Sequence, residues 1–341
     1  TVFVLMTVLT MFTIQGAVTI VTAALASSLF GITSNLLVWS AIILAVCLGV
    51  LTIGKYRILD SLMKIIIITL TLSTLAAIVS VLLFGKEVSV ATAVKGHFEW
   101  NAAGIGFLIA LMGWMPAPID LSVWSSIWSI EKKKITTDTN LKTALLDFNI
   151  GYMGTSVLAL CFLALGALVM YGSGETLSPK GAVFAGQLIS LYTESLGAWA
   201  KPLIAVAAFT TMFSTTLTCL DAFPRVLGRT TVALVPKLYG DTHGSRLYWI
   251  WILVTAFGAL ILLAINQSNT GAMGYMINLA TILSFLTAPV WAILNLKLVT
   301  SKHTPEYAQP PKWLLYWSWL GLVFLVAFCV VYLLAYFKII G

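Results

Sequence analysis

Between Thr1 and Gly54 the chain carries no Asp, Glu, Lys, Arg or His. At about 1.5 Å of rise per helical residue, that stretch can cross a hydrocarbon layer of about 30 Å twice. Two spans therefore precede the first charge. The remainder is similar in character: 60% of the 341 residues are hydrophobic and 9% are charged, against roughly a quarter charged in an ordinary soluble domain. Water is not the main solvent for such a surface, and an all-α polytopic membrane protein is expected. Thr1 opens directly into an apolar run with no basic n-region or small-residue cleavage site. No signal peptide is expected, and the chain reads as cut at its N-terminus.

Turn chemistry and charge divide the sequence into nine candidate spans, at 1–30, 35–53, 58–84, 101–129, 142–171, 200–223, 248–265, 272–297 and 313–337. Each is long enough to cross. Alternating the loops across the membrane places Lys132, Lys133, Lys134, Arg225, Arg229 and most other basic residues on one side. Only Lys86, Lys95, Lys180, Lys201 and Lys338 fall on the other. Cytoplasmic loops collect Lys and Arg, so Thr1 is expected in the cytoplasm and Gly341 outside. The segment from Gly181 to Trp199 reads as an outside loop with a short interfacial helix, followed by Lys201-Pro202 at the start of the sixth span.

The net charge of +7 fits cytoplasmic loops, and no basic stretch interleaves aromatics, so nucleic acid is not an expected partner. Cys47, Cys161, Cys219 and Cys329 lie in apolar stretches without a C-x-x-C pair, which indicates neither a disulfide framework nor zinc. They are expected to be buried and inert. The sequence contains no His-Glu-x-x-His and no Gly-x-Ser-x-Gly, and His97, His243 and His303 all fall in loops. An intramembrane enzyme is therefore not expected, nor is a resident cofactor.

The fourth span carries the most informative residues. Met112, Gly113, Trp114, Met115, Pro116, Ala117, Pro118, Ile119 and Asp120 sit in the middle of an otherwise apolar run. Two prolines two residues apart, with a glycine before them, remove amide donors and free carbonyls at mid-membrane depth. Freed carbonyls there are tolerated where they face a cavity or a ligand. Broken helices of this kind are where secondary transporters hold substrate and coupling ions. Met115 adds a soft thioether beside hard carbonyls, which suits Mn²⁺ or Fe²⁺ better than Mg²⁺ or Ca²⁺. Against this stands the ordinary use of Met as core filler and of a lone Pro as a packing kink.

The run Gly113-Trp114-Met115-Pro116 resembles the sixth helix of the Nramp (natural resistance-associated macrophage protein) divalent-metal transporters. Leu29-Phe30-Gly31-Ile32 is similar to the end of that family's third helix, Leu146 to Ser156 to its seventh, Thr210 to Thr218 with Leu227-Gly228 to its eighth, and Asn278 to Leu294 to its tenth. The resemblance implies a LeuT-type inverted-repeat fold, here as helices three to eleven without the first two. It divides the single transporter domain, 1–341, into 1–84 as the remainder of the first repeat, 101–297 as the second, and 313–337 as an extra helix. It also implies Met115 as the thioether ligand and the Met112 backbone carbonyl as a second, with Gly113, Pro116 and Pro118 making the break. Asp120, Thr281 and Asn278 are accessory polar candidates. The helix-one Asp and Asn ligands that the family supplies have no counterpart here. The expected substrate is a divalent transition metal, carried by alternating access across the plasma (inner) membrane of a bacterium, with the bilayer as the only other partner.

Two departures bear on coupling. Ala117 stands where the family has His, and Gly16 and Thr19 stand where its third helix has an acidic pair, so the sequence does not support proton coupling by that route. Asp60 with Lys64, and Asp221 with Arg225, read as interfacial ion pairs at helix ends. Asp147 and Asn149 read either as a similar pair or as lining of an inner vestibule. The alternative function is a LeuT-type carrier of an amino acid or other organic solute, which has no use for Met at the break.

Overall fold

The structure, a computed structural model, describes residues 2–53, 68–69, 71–80, 83, 98, 100–135, 141–169, 178, 180–235, 241–269 and 271–337. Its helices are α1 (Val2–Phe30), α2 (Leu36–Ile53), α3 (Thr71–Ser80), α4 (Ala102–Trp114), α5 (Leu121–Ile135), α6 (Leu141–Val169), α7 (Gly181–Leu196), α8 (Lys201–Leu234), α9 (Asp241–Ile265), α10 (Ala272–Val299) and α11 (Lys312–Tyr336). No strand occurs among the described residues. Seven helices, α1, α2, α6, α8, α9, α10 and α11, are long and apolar enough to cross a membrane, and the chain is an all-α multi-pass membrane protein.

The remaining two expected spans take other forms. The span at 58–84 lies largely outside the described residues, which include α3 alone as a helix. The span at 101–129 is the pair α4 and α5, of 13 and 15 residues, each too short to cross alone. The sixth span also differs, because its helix continues past residue 223 through Pro224 to Leu234. Asp221 and Arg225 consequently lie inside a helix rather than at its end. Local chemistry sets the other ends: Gly31 adopts a positive φ of 64° after α1, which its missing Cβ permits. Asn35 and Asn101 cap α2 and α4, each accepting two backbone N–H groups through Oδ1.

The chain forms two compact units. The first comprises Thr1–Lys95 and Leu158–Ile277, the second Gly96–Val157 and Asn278–Gly341. They are groupings in space, whereas 1–84, 101–297 and 313–337 are segments in sequence.

In the first unit α1 packs against α2, α7, α8 and α9. Its second half is built of small residues, and Ala17, Ala23, Ala24 and Ala26 are fully or almost fully buried. Small side chains let helix backbones approach closely where lipid removes the usual hydrophobic drive. Gly258 of α9 makes the same point, since a methyl there would overlap the Phe12 ring. Ala23 and Ala26 join Trp39, Ile43, Leu44 and Cys47 of α2, Leu217 and Leu220 of α8, and Ala256 of α9 in one apolar core. The α7 helix is the one expected before Lys201, and it buries Ala185, Ile189, Leu191 and Tyr192.

Polar side chains within this unit are matched to nearby partners. Thr7, Thr19 and Thr22 donate to the carbonyls of Phe3, Gln15 and Val18, one turn earlier on α1. Gln15 Nε2 donates to Thr19 Oγ1 and to the Thr216 carbonyl of α8, each at 3.2 Å. The Thr22 and Thr216 hydroxyls meet at 2.8 Å. Gln15 Oε1 is the exception, buried without a partner. Asp221, 4% exposed, accepts hydrogen bonds from Arg225 Nε at 2.6 Å and from the Tyr248 hydroxyl of α9. The guanidinium also lies 5.1 Å from the Tyr248 ring centroid, so the expected pair is part of a three-residue network in which Asp221 is buried and Arg225 and Tyr248 are half-buried. The pair Asp60 and Lys64 lies outside the described residues.

In the second unit α11 packs against α4. Ile105 and Ile109 of α4, Phe285 of α10 and Ala335 of α11 form its apolar core, with Met112, Ile282, Phe328 and Tyr332 against it. The four cysteines are all free, and Cys47 and Cys219 are buried as expected. Cys161 and Cys329 are only half-buried, because α6 and α11 turn much of their surface outward.

Candidate functional site

The break lies between Trp114 and Leu121, within the second unit. Met115 closes α4 in an extended conformation (φ −115°, ψ 122°) while its N–H still donates to the Leu111 carbonyl at 3.0 Å. One step on, the helical donor for the Met112 carbonyl would be Pro116, which has no N–H. The donor for the Trp114 carbonyl would be Pro118, which has none either. Proline chemistry thus stops α4 and leaves acceptors at the point where it stops. The backbone re-forms when Leu121, Ser122 and Val123 donate to the carbonyls of Pro118, Ile119 and Asp120 at 3.2, 3.2 and 3.0 Å.

The expected site residues divide clearly. Met115, Pro116 and Pro118 are half-buried in the unwound stretch, and Asp120 is buried at the start of α5. The Met112 side chain packs into the apolar core, so the group it can offer is its carbonyl. Gly113 is buried against α10, where a Cβ would overlap the carbonyl of Thr281. The role of Gly113 is therefore close helix approach as well as helix breaking. Thr281 is buried, and its hydroxyl donates to the Asn278 carbonyl at 3.0 Å. Asn278 is exposed and lines a separate cavity of about 370 Å³ with Ala102, Gly106 and Tyr332, beside the first turns of α4. It is not brought to the break.

Sequence reasoning missed the residues that hold the break in shape. Trp114 Nε1 donates to Ser284 Oγ at 3.0 Å, and Asn295 Nδ2 donates to Ser122 Oγ at 2.8 Å. With Gly113 against Thr281, α10 is fastened to the end of α4 and to the start of α5. The signal was present as spacing, since positions 284 and 295 lie three turns apart on one helical face.

Beyond the break a groove of about 890 Å³ runs between α5 and α6, from Ala117 and Pro118 past Ser122, Ser125, Ser126 and Ser129 to Lys132 and Asp147. The four serine hydroxyls donate back to carbonyls of the same chain, those of Ile119, Ser122, Val123 and Ser125. Their oxygens remain acceptors. At the far end Lys132 Nζ lies 3.8 Å from Asp147 Oδ2, and both side chains are well exposed. Asp147 is thus both an ion-pair partner and a lining residue of the groove. Of the three histidines, His303 is an exposed turn residue and His243 stands in the first turn of α9, while His97 lies outside the described residues.

The described residues thus form a multi-pass helical membrane protein with a proline-broken helix, fastened to a neighbouring helix on both sides of the break. The family model for natural resistance-associated macrophage protein-like proteins matches residues 1–335, and the chain belongs to that family. An uncharacterized protein of Pasteurella multocida is 41% identical over 295 residues, which cover 86% of this chain and 66% of that protein. The chain thus spans slightly less than two thirds of the curated relative it matches.

Proposed function

We propose that the protein carries divalent transition-metal ions of the Mn²⁺ and Fe²⁺ class across a bacterial plasma membrane, inward, by alternating access. The observation that carries this reading is Met115 at the unwound end of α4, beside a Met112 carbonyl deprived of its helical donor. Thioether plus carbonyl is a mixed soft and hard donor set, which favours these ions over Mg²⁺ and Ca²⁺. Membership of the Nramp family supports the same class of substrate. The acceptor-lined groove toward Lys132 supplies a path on the Lys-rich, cytoplasmic side. Coupling does not use an acidic pair on α1, where Gln15, Gly16 and Thr19 are uncharged and Gln15 Nε2 donates to Thr19 Oγ1 and to the Thr216 carbonyl.

The test is Mn²⁺ uptake into proteoliposomes by the full-length protein, with Mg²⁺ and an amino-acid mixture as competitors and internal pH recorded. Saturable Mn²⁺ uptake that resists both competitors, occurs without acidification and is lost in Met115→Ala is the expected result. Amino-acid uptake without metal flux would instead place the protein among organic-solute carriers.

A further inference from the structure

Asp120 is 7% exposed, and its Oδ1 is buried without a hydrogen-bond partner. The backbone N–H groups of Asp120 and Leu121 lie against its carboxyl, but they are neutral donors and leave Oδ1 without a partner. An ion pair does not explain its burial either. The first basic side chain along α5 is Lys132, twelve residues on and about 18 Å along the axis, and it is paired with Asp147. Lys297, Lys302 and Lys312 stand at or beyond the last turn of α10, past the Asn295 contact with Ser122. A carboxylate buried without a counter-charge costs several kcal/mol. Among the described residues of this unit no charged group pairs with it, whereas a cation held at the break would offset that cost. The same unwound stretch carries the Met115 thioether and the carbonyls that the prolines deprive of donors.

We propose that Asp120 is an anionic ligand of the same divalent ion that Met115 binds, which rests on the metal-carrier reading above. The site then combines a soft thioether, neutral carbonyls and one hard carboxylate, all from α4, α5 and the turn between them. The carboxylate tilts selectivity toward Mn²⁺ and Fe²⁺, and the thioether tilts it toward softer ions such as Cd²⁺.

The two ligands are separated by titrating Mn²⁺ and Cd²⁺ calorimetrically into the purified full-length protein, its Asp120→Asn variant and its Met115→Ala variant, with thermal midpoints recorded for each. Asp120→Asn is expected to weaken Mn²⁺ binding about tenfold or more and Cd²⁺ binding much less, while Met115→Ala does the reverse. An Asp120→Asn variant that weakens both metals equally with a lowered midpoint, or that binds both as the parent does, overturns the assignment. If that variant does not fold, Asp120→Glu, which keeps the charge, is expected to retain the parent's preference for Mn²⁺ over Cd²⁺. A folded Glu variant that prefers Cd²⁺ overturns the assignment equally. A parent protein that binds neither metal removes the carrier reading itself, and that result is read before any variant is made.

Discussion

Asp221 and Asp120 are both buried acids at proline-bearing helical segments, and their surroundings differ in kind. Asp221 has Arg225 one turn on and the Tyr248 hydroxyl across from it, so its charge is matched within the protein and helps fix α9 against α8. Asp120 has no charged partner among the described residues, only the backbone N–H groups of Asp120 and Leu121, and the carbonyls whose donors Pro116 and Pro118 remove lie eight and six residues before it. The difference teaches that burial of a polar group does not by itself mark a site. Nor does one unsatisfied oxygen, since Gln15 Oε1 is buried without a partner as well; what sets Asp120 apart is a buried acid with no counter-charge among the described residues.

That comparison can be broken most directly at Asp221. Asp221→Ala strands Arg225 and the Tyr248 hydroxyl and is expected to cost about 2–4 kcal/mol, seen as a lower thermal midpoint in detergent, with the Mn²⁺ to Cd²⁺ preference unchanged. A shift in metal preference would mean the network belongs to the transport site. Gly113→Ala comes next, at about 1–3 kcal/mol, because its methyl pushes α4 off the Thr281 carbonyl, and uptake should fall together with the midpoint. Trp114→Phe removes one hydrogen bond to Ser284 and is expected to cost about 1 kcal/mol, with a larger effect on uptake than on the midpoint if α10 sets the shape of the break. Asp120→Asn sharpens the contrast from the other side, since its midpoint should stay within about 1 kcal/mol of the parent while metal binding falls. Smallest of all is Asp147→Asn, within about 0.5 kcal/mol, because its partner Lys132 and the carboxylate itself are both well exposed.

The membrane class, the helical content and the position of the break were legible in the amino-acid sequence, because each is a local consequence of side-chain chemistry. Uncharged runs long enough to span, and prolines without N–H groups, act on their own segment whatever surrounds them. The caps at Asn35 and Asn101 are local in the same sense. Helix ends set by packing were not legible, as the continuation of α8 through Pro224 shows. Nor was the full environment of Asp221: its pairing with Arg225 one turn on could be read from spacing, but its burial and the Tyr248 hydroxyl could not. Whether Asp221 finds Tyr248, whether Gly113 meets Thr281, and whether Asn278 faces the break or another cavity depend on residues 27 to 176 positions away, brought together only when the helices pack. The sequence by itself determined a lipid-embedded helical protein with a proline break and a methionine at it. Tertiary structure alone decided which buried polar groups find partners across helices, because those partners are distant in sequence.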